Sequence, residues 1–533
     1  MFAFCKKYLT QVIGVLMTTL ALSSCQTKQN SKTKTLRISF HMDPTTVDPR
    51  KTGDLAASAL SFLLFSGLTR QQPDGSIQCA IAKSYDISED EKTYTFHLRD
   101  AYWSDGQPIT AYDFEYSWKK ILDPSFPSLC PQLFYPIKNA KQAAQKQVSL
   151  DEIGVKALDD KTFQVELEQP TPYFLALTSF CIFYPIPYHI EAQNTKWDQD
   201  LTQLVTNGPF LLEVFKPNNE IIIKKNPTYW DQDLTKLDKI HIAIVDNENT
   251  ALNLFENNEL DWIGTPLSPL PTDAIPALKS RKEFMTSPIS GTLFCNFKMD
   301  HPLLSNKNLR KALSYSMNRQ SIVDNISQQN ECIATRCIPP VMYQNHNQQM
   351  IDDNNQQLAN THLEKALKEL QITKDQVQLT LIYGPSTLHK KIAATLKNQW
   401  EKALGIQIVL RQLEEKVLRD CLYHHQFDIS LFYWIAQYYD PINILERFMY
   451  KDHPKNYPGW QDTHYISLLE QSFSETNVVK RKALLTQAEF HIMDELPICP
   501  IYHMNYSIMT HPRVSEVSIG PIGEMFFEKA IIK

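Results

Sequence analysis

Residues able to do chemistry are scattered thinly along this chain. His424 and His425 with Asp428 form one candidate set of metal ligands. Neighbouring side chains of a strand point to opposite faces, so one metal would rarely take both imidazoles, and solvated or packed histidines are expected instead. Asp159 and Asp160 offer the paired carboxylates that acid–base catalysis uses. They precede the alternating stretch Thr162–Leu167, however, and a turn into a strand explains them better. The sequence has no Gly-x-Ser-x-Gly elbow, no His-Glu-x-x-His, no Walker A loop and no Gly-x-Gly-x-x-Gly. Glycine occurs only 14 times in 533 residues, roughly 2.6% against a usual ~7%. That leaves few glycines for loops that cradle phosphates. No catalytic residue, cofactor or metal is therefore expected, and an enzyme is a rival by class without a motif behind it.

One cysteine does carry a chemical expectation. Lys6 and Lys7 precede a mostly apolar run, Tyr8 to Leu22, that is shorter than the ~20 residues a bilayer span requires. A basic start followed by a short apolar run is the order of a secretory signal. Leu22-Ser23-Ser24-Cys25 then closes it in a way that resembles the lipobox of bacterial lipoproteins. That resemblance implies a signal peptide over 1–25 and a lipidated Cys25; an ordinary signal peptide with an incidental cysteine is the alternative. Residues 26–34, QTKQNSKTK, contain no apolar side chain and read as a tether. Multiple acyl chains on one cysteine would hold the protein firmly to a membrane.

Removing residues 1–25 takes away two lysines and no acid, leaving 51 basic against 59 acidic residues, net −8. Nucleic acid is thus not an expected partner, because phosphate binding requires a basic face. The remaining cysteines are Cys79, Cys130, Cys181, Cys295, Cys332, Cys337, Cys421 and Cys499. They are dispersed and imply no small disulfide framework, although Cys332 and Cys337 are near enough in sequence to bridge.

The elements that must position any site are mixed. Thr35–Phe40, Tyr94–Leu98 and Thr162–Leu167 alternate as strands. Trp103-Ser104-Asp105-Gly106 forms a turn, and Thr110 caps a helix running to about Ile121, with Phe114, Trp118 and Ile121 on its core face. Asn308–Met317, Thr361–Leu370, His389–Leu404 and Lys480–Met493 are expected helices. Strands Gln378–Ile382 and Ile406–Arg411 bracket the third of them, and an apolar strand lies near Ile498–Tyr502. At 533 residues the chain exceeds one core, so several α/β lobes are expected. No repeat and no second membrane-spanning run is found.

Several separated segments resemble the periplasmic oligopeptide-binding proteins of ABC importers, extracellular solute-binding protein family 5. Val47-Asp48-Pro49, the stretch Trp103 to Trp118 (WSDGQPITAYDFEYSW) and Gly154 to Phe174 (GVKALDDKTFQVELEQPTPYF) carry it. So do Thr206-Asn207-Gly208-Pro209, Asn226 to Trp230, Leu388 to Lys391 and Trp434 to Pro441, in order from about residue 35 to about 510. The resemblance implies an α/β fold of periplasmic-binding-protein type with three lobes. Lobe I would comprise 35–55, 205–290 and 505–533, lobe II 56–204 and lobe III 291–504. Two lobes would close by a hinge around an extended peptide held as an added strand. It also implies ABC permease subunits with their ATPases as partners, a monomeric receptor and a periplasmic-side location. The Trp103–Trp118 signature is expected to be structural.

Family site positions transfer only in part. By resemblance Trp434, Ala436, Gln437, Tyr438 and Tyr433 line the peptide, with Tyr135 beside it and His389 near its C-terminal end. Tyr135 in a packing role and His389 as a helix N-terminal surface residue read equally well. The family's amine-binding aspartate is Gln437 here, and Asp440 matches a different acidic residue before proline. Arginines that some members use near the peptide C-terminus fall on Leu422 and Leu431, the glycine before the tryptophan on Tyr433, and the cysteine pair on Gly291 and Ile435. The scaffold is kept and the polar clamp rewritten. The expected function is a lipid-anchored receptor delivering peptides or peptide-like molecules to an ABC transporter. A murein peptide, a blocked peptide, haem or a non-transport adhesin or chaperone role are the rivals.

Overall fold

The computed structural model describes residues 33–199, 201, 204–343 and 348–533. The signal segment, Cys25 and nearly all of the tether lie outside them. Residues Thr35–Lys533 form one unit by their contacts.

The dominant element is an eleven-stranded mixed sheet. The second largest is a four-stranded antiparallel sheet of β2 (Ala82–Ile87), β3 (Thr93–Leu98), β4 (Val155–Asp159) and β5 (Thr162–Glu166) in the order β2-β3-β5-β4, and two two-stranded pairs complete the described strands. In the large sheet, β1 (Thr35–Phe40) is followed in sequence by β6 (Phe210–Lys216), β7 (Glu220–Lys225), β8 (Lys239–Ile244) and β9 (Trp262–Gly264). Next come β10 (Phe284–Phe297), β11 (Cys332–Ile333), β12 (Gln378–Tyr383), β13 (Gln407–Gln412), β14 (Ile429–Ile435) and β15 (Ile498–Thr510). Their spatial order is β13-β12-β14-β10-β15-β9-β1-β8-β7-β6, with β11 paired to β15 off that path.

Two long strands tie the halves of this sheet together. β10 has 14 residues and β15 has 13, and they pair antiparallel along most of their length. The boundaries expected between lobes I and III, at 290/291 and 504/505, fall inside these strands. Their register breaks between Pro288 and Thr292. Pro288 has no amide N–H, and Ser290 turns its own N–H to Pro521 O (2.6 Å), so the ladder is interrupted where those boundaries meet.

The elements read from periodicity are present, with shifted ends. α1 (Ala111–Ile121) starts after Thr110, whose amide and hydroxyl both donate to Asp113 Oδ2 at 2.8 and 3.1 Å. Trp103, Phe114 and Trp118 are fully buried, and the Trp118 indole donates to Phe183 O at 2.8 Å. The signature stretch therefore serves the core of this region, and Gly106 supplies the positive φ (87°) of its turn. α2 (Lys307–Tyr315), α3 (Gln356–Leu370), α4 (Thr387–Leu404), α5 (Glu415–Tyr423) and α6 (Val478–Glu495) follow. α3 begins five residues before its apolar periodicity, because Asn355 accepts the Leu358 amide as a cap. α4 links the parallel pair β12 and β13 as a strand–helix–strand unit.

His424 and His425 are not in a strand: α5 ends at them, His425 has φ +51°, and its Nδ1 is 2.8 Å from Tyr457 O. His424 is exposed, and no group of three or more metal-ligating side chains is assembled among the described residues. Asp159 accepts the Lys161 amide at 2.8 Å, the turn expected of it. Cys332 and Cys337 are both free thiols; Cys332 is exposed and Cys337 buried.

Candidate functional site

β14 presents an open edge. β10 borders it along its whole length, from Ile429 opposite Phe297 to Ile435 opposite Gly291. On the other side β12 pairs with it only at Ile429 and Ser430. Among the described residues, Phe432–Ile435 therefore has no strand on that side, and the half-buried Tyr433, Trp434 and Ile435 mark where the sheet stops being covered. Unpaired strand N–H and C=O groups are a template for an extended chain.

Alternation sorts the side chains of this edge. Tyr433 lies on one face, its ring 6.3 Å from that of His389 at the start of α4. Burial pushes His389 down to about 4, so its imidazole is neutral at pH 7. Its amide is capped by Ser386 Oγ at 3.3 Å. The buried side chains of Leu422 and Leu431 offer no charge here, but Arg419 does. It sits one helical turn before Leu422 on α5, pairs with Glu415 at 2.8 Å, and its charge favours the ionised form of the nearby Tyr433 phenol. Comparing Leu422 and Leu431 position by position passes over Arg419, although i and i+3 share a helix face.

On the opposite face, Trp434 lies beneath the guanidinium of Arg447, 4.2 Å from the ring centroid. Phe294, opposite Phe432 in the ladder and so on this same face, is also in reach of Arg447 at 5.4 Å. Gly291 and Ile435, where the resemblance places the family's cysteine pair, are direct cross-strand partners.

The segment after the strand is held tightly. Ala436 is buried and its N–H donates to Ser290 O at 2.9 Å. Gln437 donates its backbone N–H to Asn443 Oδ1 (2.9 Å) and its side-chain amide to Cys130 Sγ (3.3 Å). Tyr135, five residues beyond Cys130, is half-buried, and burial raises its phenol. Tyr438 is buried, stacked on Tyr173 at 5.3 Å, with its hydroxyl donated to Glu446 Oε1 at 3.0 Å.

The carboxylates near Gln437 are engaged. Asp440 takes a two-pronged ion pair from Arg481 at 2.7 and 2.8 Å and accepts the Ile442 amide. Glu446, pushed up to about 7 by burial, accepts from Tyr438 and Asn443. Neither is left unpaired to meet a ligand ammonium, so the neutral amide of Gln437 stands alone at that position.

The model of "Bacterial extracellular solute-binding proteins, family 5 Middle" matches residues 76–456. The oligopeptide-binding protein OppA of Bacillus subtilis (strain 168) is 38% identical over 544 residues, covering 99% of this chain and 100% of its own. The chain is a family 5 bacterial extracellular solute-binding protein. Among solved members of the fold, the pheromone receptor PrgZ, described with its mode of peptide binding, superposes with a TM-score of 0.83 at 28% identity, covering 94% of this chain and 100% of its own. The Escherichia coli murein tripeptide binding protein MppA gives 0.83 at 26% identity, covering 94% and 99%. An unliganded open form of MppA gives 0.74, covering 94% and 98%. This family 5 protein is thus more similar to the first MppA structure than to the open one. Its α/β architecture is of the periplasmic-binding-protein type, with β14 and the Gln437 segment inside the matched region.

Proposed function

We propose that this chain is the peptide receptor of an ABC importer, working as a monomer on the outer side of a bacterial membrane to which lipid on Cys25 attaches it. The observation that carries the reading is the open β14 edge at Phe432–Ile435, flanked by Tyr433 and Trp434. An extended peptide added there satisfies its backbone through strand hydrogen bonds, which are blind to sequence. Lobes I (35–55, 205–290, 505–533) and III (291–504) close on it about the interrupted β10–β15 ladder, and lobe II (56–204) stands beside them. ABC permease subunits with their ATPases then take the ligand. The receptor itself carries out no covalent step.

Gln437 favours a second reading within the same class, a peptide with a blocked or otherwise uncharged N-terminus. A buried ammonium requires a counter-charge, and Asp440 and Glu446 are both engaged. Native mass spectrometry of protein purified without refolding tests the receptor reading. Co-purified ligands of peptide mass support it; a bound non-peptide molecule displaced by no peptide overturns it. For the anchor, unchanged membrane association of Cys25→Ala on fractionation would remove the lipid from the account.

A further inference from the structure

Arg447 is a cation without an anion. It is 2% exposed, and among the described residues no carboxylate pairs with it. Its Nη2 donates to Lys455 O at 3.3 Å, while Nε and Nη1 have no acceptor. Four aromatic rings surround the guanidinium: Trp434 at 4.2 Å, Phe448 at 4.8 Å, Phe294 at 5.4 Å and Tyr457 at 5.9 Å. The indole Nε1 of Trp434 also lacks an acceptor. Ring faces stabilise a cation, but they accept none of these N–H groups well. Burying an arginine unpaired is costly, and burial pulls Arg447 down only to about 10, so it stays charged at pH 7.

The position of these three donors gives them a use. They lie on the face of the sheet that carries Phe432, Trp434 and Phe294. A peptide strand laid on the open β14 edge projects every second side chain onto this same face, roughly 5 Å from the neighbouring Trp434 side chain. The geometry points to Arg447 and Trp434 as an acidic side-chain subsite: the receptor selects peptides with a carboxylate at one alternating set of positions. This rests on the peptide-receptor reading and adds a side-chain preference to it. The carboxylate accepts from Arg447 Nε and Nη1 and from the Trp434 indole, supplying the charge and acceptors the fold leaves out.

The probes are alanine pentapeptides with one glutamate at position 2, 3 or 4, each against its glutamine twin, titrated calorimetrically into the full mature chain. Glutamate is expected to bind at least tenfold tighter at position 3, or at positions 2 and 4, but not at both sets. Arg447→Met should abolish the difference while melting no lower than the wild type, because it removes an uncompensated buried charge. Trp434→Phe, which removes the indole donor while keeping an aromatic ring there, should cut the preference severalfold and serves if Arg447→Met does not fold. Equal affinities of all twins, equal gains at all three positions, or a preference that survives Arg447→Met each overturn the subsite and leave the peptide receptor standing. No binding of any of the six peptides would overturn both.

Discussion

The side-chain amide of Gln437 donates to the thiol sulfur of Cys130, 3.3 Å away and 307 residues distant in sequence. The contact joins the segment after β14 to the turn before Tyr135, and it occupies the position where the resemblance places an amine-binding aspartate. A neutral amide meeting a thiol gives a ligand ammonium only an ordinary dipole.

Restoring the carboxylate should change what is bound. A folded Gln437→Asp variant is expected to bind free-amine peptides about tenfold tighter, since a charge-assisted bond exceeds a neutral one by about 1.4 kcal/mol. N-acetylated twins should gain nothing. Calorimetry of both proteins with a matched free and acetylated pair reads this directly; equal affinities in all four combinations would place Gln437 away from the ligand's terminus.

Asp440 and Arg481 hold the same segment from below, with side chains only 13% and 11% exposed. Asp440→Asn leaves Arg481 uncompensated next to the Tyr173 ring and should cost roughly 3 kcal/mol. Adding Arg481→Met should recover part of that loss. Denaturant midpoints at constant slope check both; a single substitution as mild as the pair would show that the ion pair does not fasten the loop.

Glu446 sets a pH dependence. Burial raises its carboxyl to about 7, above the usual 4.5, so the folded state keeps a proton that the unfolded chain has released between those values. Its contribution is complete below about 4.5 and is lost as pH rises through about 7. His389 and His503, lowered to about 4 and about 3, act oppositely and cost stability as pH falls below 6.5. Glu446→Gln isolates the first effect: its stability relative to wild type should rise by roughly 1–3 kcal/mol from pH 5 to pH 8. A flat difference would place the Glu446 titration outside that window.

Much of this was legible in the sequence, because the signals were local. The Thr110 cap, the buried Trp118 on α1 and the α4 strand–helix–strand unit follow from spacing and periodicity alone. Gln437 stood out because a carboxylate position carried an amide. What stayed hidden depends on long-range packing. Nothing near Arg447 in sequence shows that Trp434 and Phe294 enclose it, and nothing near Asp440 marks Arg481 as its partner. His424 and His425 were misplaced in a strand because a helix end beside a positive-φ residue leaves no periodic trace.

In the proposed three-lobe arrangement, the break in the β10–β15 register between Pro288 and Thr292 is where lobes I and III bend. A peptide mixture that binds should make the mature protein more compact. Small-angle scattering with and without it should show a smaller radius of gyration when liganded; a demonstrated ligand that leaves the radius unchanged removes the closure.

Amide hydrogen exchange of the full mature chain reads whether a peptide pairs with the open edge of β14. With an alanine pentapeptide bound, alternate amides within Phe432–Ile435 should exchange at least tenfold more slowly, while those already bonded to β10 change little. Saturating peptide binding with no slowing anywhere in Phe432–Ile435 would move the site elsewhere on the molecule.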